Sequence, residues 1–259
     1  MFRKQTNLAL MKKLAGTACF CILFVTLCVL QGCKKQSTNL NLPQLADYYP
    51  TQPGKVFIYR LDSTYLDVTY TQLLVSSYLI KDSIGTVYND NLGRASYPVY
   101  RFITDTLNST PWQALVTYYI TPTTQDVEVV DDNNLRFIKL VEPIVDSFTW
   151  SGNSYINTQT GTYQYMAGWN YIYRNVNQPY TVLKGTVDST VTVLQDDNTS
   201  PPGPFDPSNA FQERDYSIEV YGKGIGLIYK DFLHWIWQGG MQQYDPYSYG
   251  IRLNLISVQ

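Results

Sequence analysis

Apolar and polar residues alternate along most of the chain after Asp47, and this pattern predicts β-strands. The clearest example is residues 181–194, where Leu183, Val187, Val191 and Val193 share one parity while Lys184 and several threonines share the other. A period of two is typical of a strand with one packed and one wet face. Frequent Tyr, Thr, Val and Ile suit such a pleated surface. We therefore expect antiparallel strands throughout this part of the chain.

The alternating segments predict strands that are separated by turn-forming residues. The predicted strands are 55–62, 68–81, 94–105, 112–121, 124–130, 134–141, 162–175, 180–194, 215–221, 225–237 and 249–258. Turns are predicted at 89–91, 131–134, 151–153 and 178–179, with a long loop at 196–209 and a short helix from Asp206 through Glu213. Sequential strands with little helix favour an all-β fold, a single antiparallel meander curved into a barrel, half-barrel or clam.

Residues 1–32 have a different pattern, which is typical of a secretory signal. Arg3, Lys4, Lys12 and Lys13 precede the apolar run from Leu14 to Leu30. The alternative is a membrane anchor, but the run is at the short limit of the roughly 17–25 residues that span a bilayer. Met11 would make as good a start as Met1. We expect a signal peptide at 1–32, a flexible tether at 33–46 and a β-rich globular domain at 47–259.

The end of the signal resembles the lipobox of bacterial lipoproteins, in Leu30-Gln31-Gly32-Cys33. The resemblance implies that Cys33 becomes the first residue of the mature protein and carries its lipid, including palmitate. Two or more acyl chains would hold the protein stably on the membrane. Lys34 and Lys35 resemble the sorting signal of outer-membrane lipoproteins, so we expect a cell-envelope protein there. Whether it faces the periplasm or the outside stays open.

Charge and rare residues restrict the function classes. Without the four basic residues of the signal, 19 basic residues fall to 15 against 21 acidic ones, a net charge of −6. A net acidic domain argues against nucleic acid as a partner. The cysteines other than Cys33 lie in the signal, so the domain has no disulfide. His234 is the only histidine, which excludes sites with paired histidines. We predict no cofactor, no metal and no catalytic residue.

Several short stretches resemble, in their order, a family of uncharacterised secreted lipoproteins of gram-negative bacteria. They are Asp47-Tyr48-Tyr49-Pro50, Pro111-Trp112-Gln113, residues 134–140, Trp150-Ser151-Gly152-Asn153 and residues 221–229. The resemblance spans most of residues 47–230. It implies a place in the cell envelope and a β-rich domain. It implies no activity and no catalytic residues.

Two aromatic clusters are candidate ligand sites. Tyr163, Tyr165, Trp169, Tyr171 and Tyr173 share one parity of the predicted strand 162–175. Packing in the core is the favoured interpretation, and the alternatives are a platform for sugars or the lining of a cavity for an apolar or amphipathic ligand.

The second cluster contains Trp235 and Trp237, in a stretch from Phe232 that is apolar on both parities. We expect a strand that is covered on both faces, and the alternative is an exposed patch for a ligand or partner.

Other motifs have simpler interpretations. Gly222, Gly224 and Gly226 predict a bulge or hairpin bend rather than a nucleotide loop, because the third glycine comes one residue early for a dinucleotide fingerprint. The acidic pairs 131–132 and 196–197 lack the spacing of a calcium loop and predict solvated turns.

Three functions remain open at this stage. The first is a membrane-tethered, non-catalytic β-domain that binds a ligand, such as a saccharide, or an envelope protein. The second is a carrier of a lipid or other hydrophobic molecule in a barrel or clam cavity. The third is a polysaccharide hydrolase with paired carboxylates.

Overall fold

A computed structural model describes residues 43–259, in which strands of a single antiparallel sheet curve until they nearly close into a barrel. The elements are α1 (Leu45–Tyr48), β1 (Val56–Leu66), β2 (Leu73–Ile84), β3 (Tyr88–Asn89), β4 (Ala95–Asp105), β5 (Gln113–Pro122), β6 (Asp126–Val130), β7 (Arg136–Val141), β8 (Thr149–Trp150), a 3-10 helix (Gln164–Met166), β9 (Tyr171–Val182), β10 (Gly185–Ser200), β11 (Phe211–Gly222), β12 (Gly226–Gln238), β13 (Gln243–Tyr244) and β14 (Tyr249–Val258). The all-β prediction is confirmed.

The strands follow the order β7-β6-β5-β4-β2-β1-β14-β12-β11-β10-β9-β8, with β3 beside β4 and β13 beside β12. Neighbours in the chain are mostly neighbours in the sheet, as a meander requires. The exception is the C-terminal strand β14, which lies between β1 and β12 and joins the two halves. The closure of the barrel therefore depends on the last strand of the chain.

The seam of the barrel lies where β7 approaches the segment that contains β8. The Ile138 N–H donates to the carbonyl of Gly152 at 2.7 Å, and the Trp150 indole N–H donates to the carbonyl of Ile138 at 2.9 Å. Further along, the hydroxyl of Tyr173 bonds to the backbone of Val141. Side chains thus supply part of the hydrogen bonds across the seam. β7 and β8 are the two ends of the strand order and do not pair with each other.

The lower end of the barrel, where β11 turns into β12, is closed by the segment that contains α1. Leu45 and Tyr48 are buried, and the Tyr48 hydroxyl donates to the side-chain oxygen of Asn177 at 2.8 Å. The Gly224 N–H donates to the carbonyl of Asp47 at 2.6 Å. Residues 45 and 46, which the sequence predicted as the end of the tether, are therefore part of this closure.

The upper end is partly closed by the loop 151–170, between β8 and β9. Ile156, Met166 and Trp169 of this loop are buried, and the Asn153 amide donates to the carbonyl of Met166 at 2.7 Å. The turn between β6 and β7 lies at the same end. Asp132 and Asn133 of this turn are exposed to solvent and also line the interior cavity.

The predicted strand 162–175 is wrong in its first half. Gly161 and Gly168 have φ values of +84° and +78°, and the 3-10 helix lies between them, so β9 begins only at Tyr171. The predicted turn at 178–179 is also wrong, since β9 continues to Val182. β8 pairs only with Tyr171 and Ile172 of β9, so within residues 43–259 the part of β9 that contains Pro179 has no strand on that side. Pro179 is tolerated at this sheet edge because the N–H group that it lacks is not needed for pairing.

Other boundaries moved for local reasons. β2 begins at Leu73 rather than 68, because the Asp67 carboxylate accepts the N–H groups of Thr71 and Gln72 and builds a turn. β10 runs from 185 to 200 rather than from 180 to 194, which shortens the predicted loop 196–209 to 201–210. The predicted helix from Asp206 is wrong: Asp206 accepts the Ser208 N–H in a turn, and β11 begins at Phe211.

The glycine motif forms a hairpin bend, as predicted. Gly224 and Gly226 have φ values of +72° and +111°, and the β11–β12 register shifts beside Val220. The signal peptide and Cys33 lie outside the described residues. Within residues 43–259, no helix is long and apolar enough to cross a bilayer.

Candidate functional site: the barrel interior

The interior of the barrel contains a cavity of about 400 Å³, bounded below by Tyr49 and above by Trp169 and Tyr163. This volume is in the range of about 300–1,000 Å³ that small-molecule sites occupy. Its opening is flanked by Asp131, Asp132 and Asn133, the turn between β6 and β7.

The register of the strands sets which side chains line the cavity and at what height. Every second side chain of these strands faces the cavity. They are Ser217, Glu219 and Tyr221 on β11, and Lys230 and Phe232 on β12. Because Glu219 pairs with Lys230, and Ser217 with Phe232, the charged level lies below the aromatic level. The cavity is therefore amphipathic along the barrel axis.

Glu219 is the centre of a buried ionic cluster at the lower level. Its Oε1 lies 2.8 Å from Lys139 Nζ and 3.3 Å from Lys230 Nζ, and the Tyr221 hydroxyl donates to Oε2 at 2.6 Å. Burial alone would raise the pKa of Glu219, but the attraction of the two lysines outweighs it and lowers the pKa to about 2. Burial also lowers the pKa of Lys230.

A second ion pair lies beside this cluster and is neutral by itself. The Arg101 guanidinium donates to both oxygens of Asp82 at 2.7 Å, in the bidentate geometry that strengthens such pairs. The Tyr118 hydroxyl also donates to Asp82, at 3.0 Å. With both lysines protonated, Lys139, Lys230 and Glu219 together keep a net charge of +1, to which this pair adds nothing.

Two buried polar atoms on the cavity wall have no hydrogen-bond partner among the described residues: the Tyr171 hydroxyl and Nε2 of Gln195. Gln195 is the extra residue of a bulge between Leu194 and Asp196, and its Oε1 accepts from the Ser217 hydroxyl at 2.6 Å. Bulges often redirect a side chain in this way. An unpaired buried polar group costs about 1–3 kcal/mol, so these two atoms are unfavourable features of the residues that line the cavity.

The rest of the wall is apolar or aromatic. It includes Val129, Phe137, Leu227, Phe232, Ile251 and Leu253. Such surface favours a ligand with a hydrophobic body, since burial stabilises by about 25 cal/mol per Å² of apolar area.

A separate cluster of His234, Asp215 and Glu213 lies at the upper end, behind the loop 151–170. Nδ1 of His234 is 2.6 Å from Oδ1 of Asp215, both side chains are buried, and the Tyr165 ring stacks on the imidazole at 4.1 Å. Potential ligand atoms of the three residues lie within 4.8 Å of one another. Burial raises the pKa of Glu213, and the Asp215 charge adds to this effect. The 2.6 Å separation is that of a hydrogen bond, so Asp215 orients the imidazole.

The aromatic residues singled out in the sequence have three different environments. Tyr163, Trp169 and Tyr171 line the cavity. Tyr165 stacks on His234, and Tyr173 is buried at the seam. The five residues do not lie on one strand, because Tyr163, Tyr165 and Trp169 belong to the loop 151–170 and only Tyr171 and Tyr173 belong to β9.

Trp235 and Trp237 face away from the cavity. Their rings contact Phe205 and Tyr244, and the Trp237 indole N–H donates to the carbonyl of Pro207 at 3.3 Å. The loop 201–210 and β13 therefore cover them, as the favoured interpretation expected.

Sequence reasoning missed the polar residues of the cavity: Lys139, Gln195, Ser217, Glu219 and Lys230. A signal existed, since Lys139 stands between Ile138 and Leu140 in a strand whose only other polar residue is Arg136 at its start. The alternation by itself does not say which parity faces the interior of a barrel.

No protein-family model matches the sequence, and no curated protein is significantly similar to it. Among solved structures, the chain is similar to a candidate exported protein with a YmcC-like fold from Bacteroides fragilis. The sequences are 8% identical, the match covers 81% of this chain and 99% of that one, and the TM-score is 0.38. At that distance the similarity transfers neither a ligand nor an activity.

Proposed function

We propose that this protein is a lipid-anchored β-barrel of the cell envelope that binds a small amphipathic molecule in its interior. The observation that carries the proposal is the cavity of about 400 Å³ whose wall combines the ionic cluster of Lys139, Lys230 and Glu219 with apolar and aromatic side chains. A cavity that were only a packing defect would be lined by apolar groups and would stay dry.

The mixed lining supports both ligand binding and the carrier function that the sequence left open. Lys139, Lys230 and Gln195 offer polar contacts, while Phe137 and Phe232 offer apolar ones. Small-molecule sites typically combine a largely apolar wall with a few placed polar groups.

The proposal is binding rather than catalysis. Glu219 is enclosed by two lysines and Tyr221, and the Asp131 carboxylate accepts the N–H groups of Asn133 and Leu135 in its own turn. Glu219 and Asp131 thus have structural partners, and Asp132, the third carboxylate of the lining, is exposed to solvent. A glycoside hydrolase instead needs one carboxyl that is protonated near neutral pH, and a pKa of about 2 makes Glu219 unsuited to that role.

Anchoring to the outer membrane is part of the proposal. Its support is the basic and then apolar pattern of residues 1–32, the lipobox resemblance at Cys33 and the two lysines that follow. The family resemblance over residues 47–230 agrees with this location.

Native mass spectrometry of protein purified from its own envelope tests the binding function. We expect a co-purifying low-mass molecule. Val116→Trp, at a half-buried position of the wall, should displace it, whereas Val75→Trp, at an exposed position of β2 outside the wall, should retain it. Purification without any such molecule, or equal retention by both variants, would contradict the proposal. Circular dichroism of both variants would establish that they fold alike.

A further inference from the structure

The lower level of the cavity has more hydrogen-bond donors than acceptors. Each lysine of the ionic cluster directs one N–H toward Glu219 and has two further N–H groups, and Lys139 Nζ also lies over the Phe137 ring at 4.8 Å. Glu219 already receives three contacts, so its oxygens are occupied. A ligand that completes this level must bring acceptors.

The charge of the same level points to an anion. Lys139 and Lys230 share a single carboxylate, and the Asp82–Arg101 pair is neutral. One negative charge on a ligand would balance the remaining +1. A phosphate monoester, with a charge of about −1.5 to −2, would overcompensate it. A carboxylate therefore fits better.

The orientation of the ligand follows from the two ends of the cavity. Phe232 and Trp169 form an aromatic level above the lysines, where an apolar body would be buried. Asp131 and Asp132 flank the opening and would repel an anionic group there. Both effects direct the anionic group inward.

We infer that the cavity binds an amphipathic monocarboxylate, with its carboxylate beside Lys139 and Lys230 and its apolar body against Phe232 and Trp169. This inference rests on the binding function proposed above and specifies the chemical class of the ligand.

Isothermal titration calorimetry with three probes of equal chain length tests this assignment. The protein is the mature chain, from which any co-purifying molecule has been extracted. The probes are decanoate, decanol and decylamine. We expect decanoate to bind about tenfold more tightly than decanol, because a charge-assisted contact adds on the order of 1.4 kcal/mol. Decylamine should bind most weakly.

The variant Lys230→Gln tests whether the charge of the lower level, rather than the apolar part of the cavity, causes the preference for decanoate. It leaves Glu219 paired with Lys139 alone, so the lower level becomes neutral, and Lys230 is the more exposed of the two lysines. We expect this variant to lose the preference for decanoate while its affinity for decanol stays within about twofold, which also shows that it folds. Lys184→Gln, at the exposed β9–β10 hairpin, is the matched control and should bind as the unmodified protein does.

The outcomes distinguish the two proposals. Equal affinity for decanoate and decanol, or tighter binding of decylamine, would overturn the carboxylate assignment and leave the binding function standing. Failure of decanoate to bind would also overturn the carboxylate assignment, and if no molecule co-purifies with the protein either, the binding function is overturned as well.

Discussion

The Tyr173 hydroxyl takes the place of a strand partner for Val141 at the seam of the barrel. It accepts the Val141 N–H at 2.7 Å and donates to the Val141 carbonyl at 2.8 Å. Tyr173 is buried and Val141 is half-buried, so these bonds lie in partly buried surroundings. A single phenol thus satisfies both backbone groups of a residue at the edge of β7.

Tyr173→Phe should therefore destabilise the protein. Removal of the hydroxyl leaves a partly buried donor and a partly buried acceptor unpaired, and we expect the free energy of unfolding to fall by about 1–3 kcal/mol. Tyr171→Phe is a matched control on the same strand: its hydroxyl has no partner in the described structure, so its loss should cost less than about 0.5 kcal/mol. Urea unfolding followed by tryptophan fluorescence measures both. Equal losses would show that the seam does not depend on this hydroxyl.

Glu219→Gln should be more damaging than the loss of an exposed acid. It leaves Lys139 and Lys230 buried without their counter-ion, and breaking a buried pair in this way costs about 3–5 kcal/mol. Asp197→Asn is the comparison, because the Asp197 side chain is 54% exposed and pairs with Arg214, and exposed pairs contribute about 0–1 kcal/mol. Thermal unfolding at neutral pH should separate the two variants clearly. A similar melting temperature for both would mean that the cluster is well solvated.

Asp196 should make stability fall as the pH rises through 6. Burial, and then the charge of Asp215, raise the pKa of Asp196 to about 6. The folded state therefore keeps a proton that the unfolded chain releases near pH 4. A raised pKa contributes stability that is fully present below pH 4 and is lost as the pH rises through 6.

Asp196→Asn removes this titration, so its melting temperature relative to the unmodified protein should increase between pH 4 and 7. Asp206→Asn provides a contrast of opposite sign, since the Ser208 hydroxyl and backbone N–H lower the pKa of Asp206. Parallel melting curves for Asp196→Asn and the unmodified protein across this range would refute the assignment.

Cys33→Ala should abolish metabolic labelling with palmitate and release the protein from the membrane fraction. The lipid is attached through this cysteine if the lipobox resemblance holds, and no other cysteine follows residue 33. Cys28→Ala, within the signal, should leave labelling intact. Labelling that survives in Cys33→Ala would place the anchor elsewhere.

The sequence predicted individual strands well where alternation is local and uninterrupted. The predicted strand 94–105 matches β4 within one residue, and 249–258 matches β14. It failed at 162–175 because an aromatic parity persisted through a loop whose direction is set by Gly161 and Gly168. A repeated parity resembles a strand whether or not the backbone is extended.

The sequence by itself determined the all-β class and the hairpin at Gly222–Gly226. It also determined that the domain has one histidine, His234, and no cysteine after Cys33. Only the tertiary structure decided which parity faces the interior and which strands close the barrel. Lys139 and Glu219 are 80 residues apart, and they meet because β14 joins the two halves of the meander and the seam joins its ends. Periodicity is a property of neighbouring residues, whereas a cavity is made by strands that are distant in the chain.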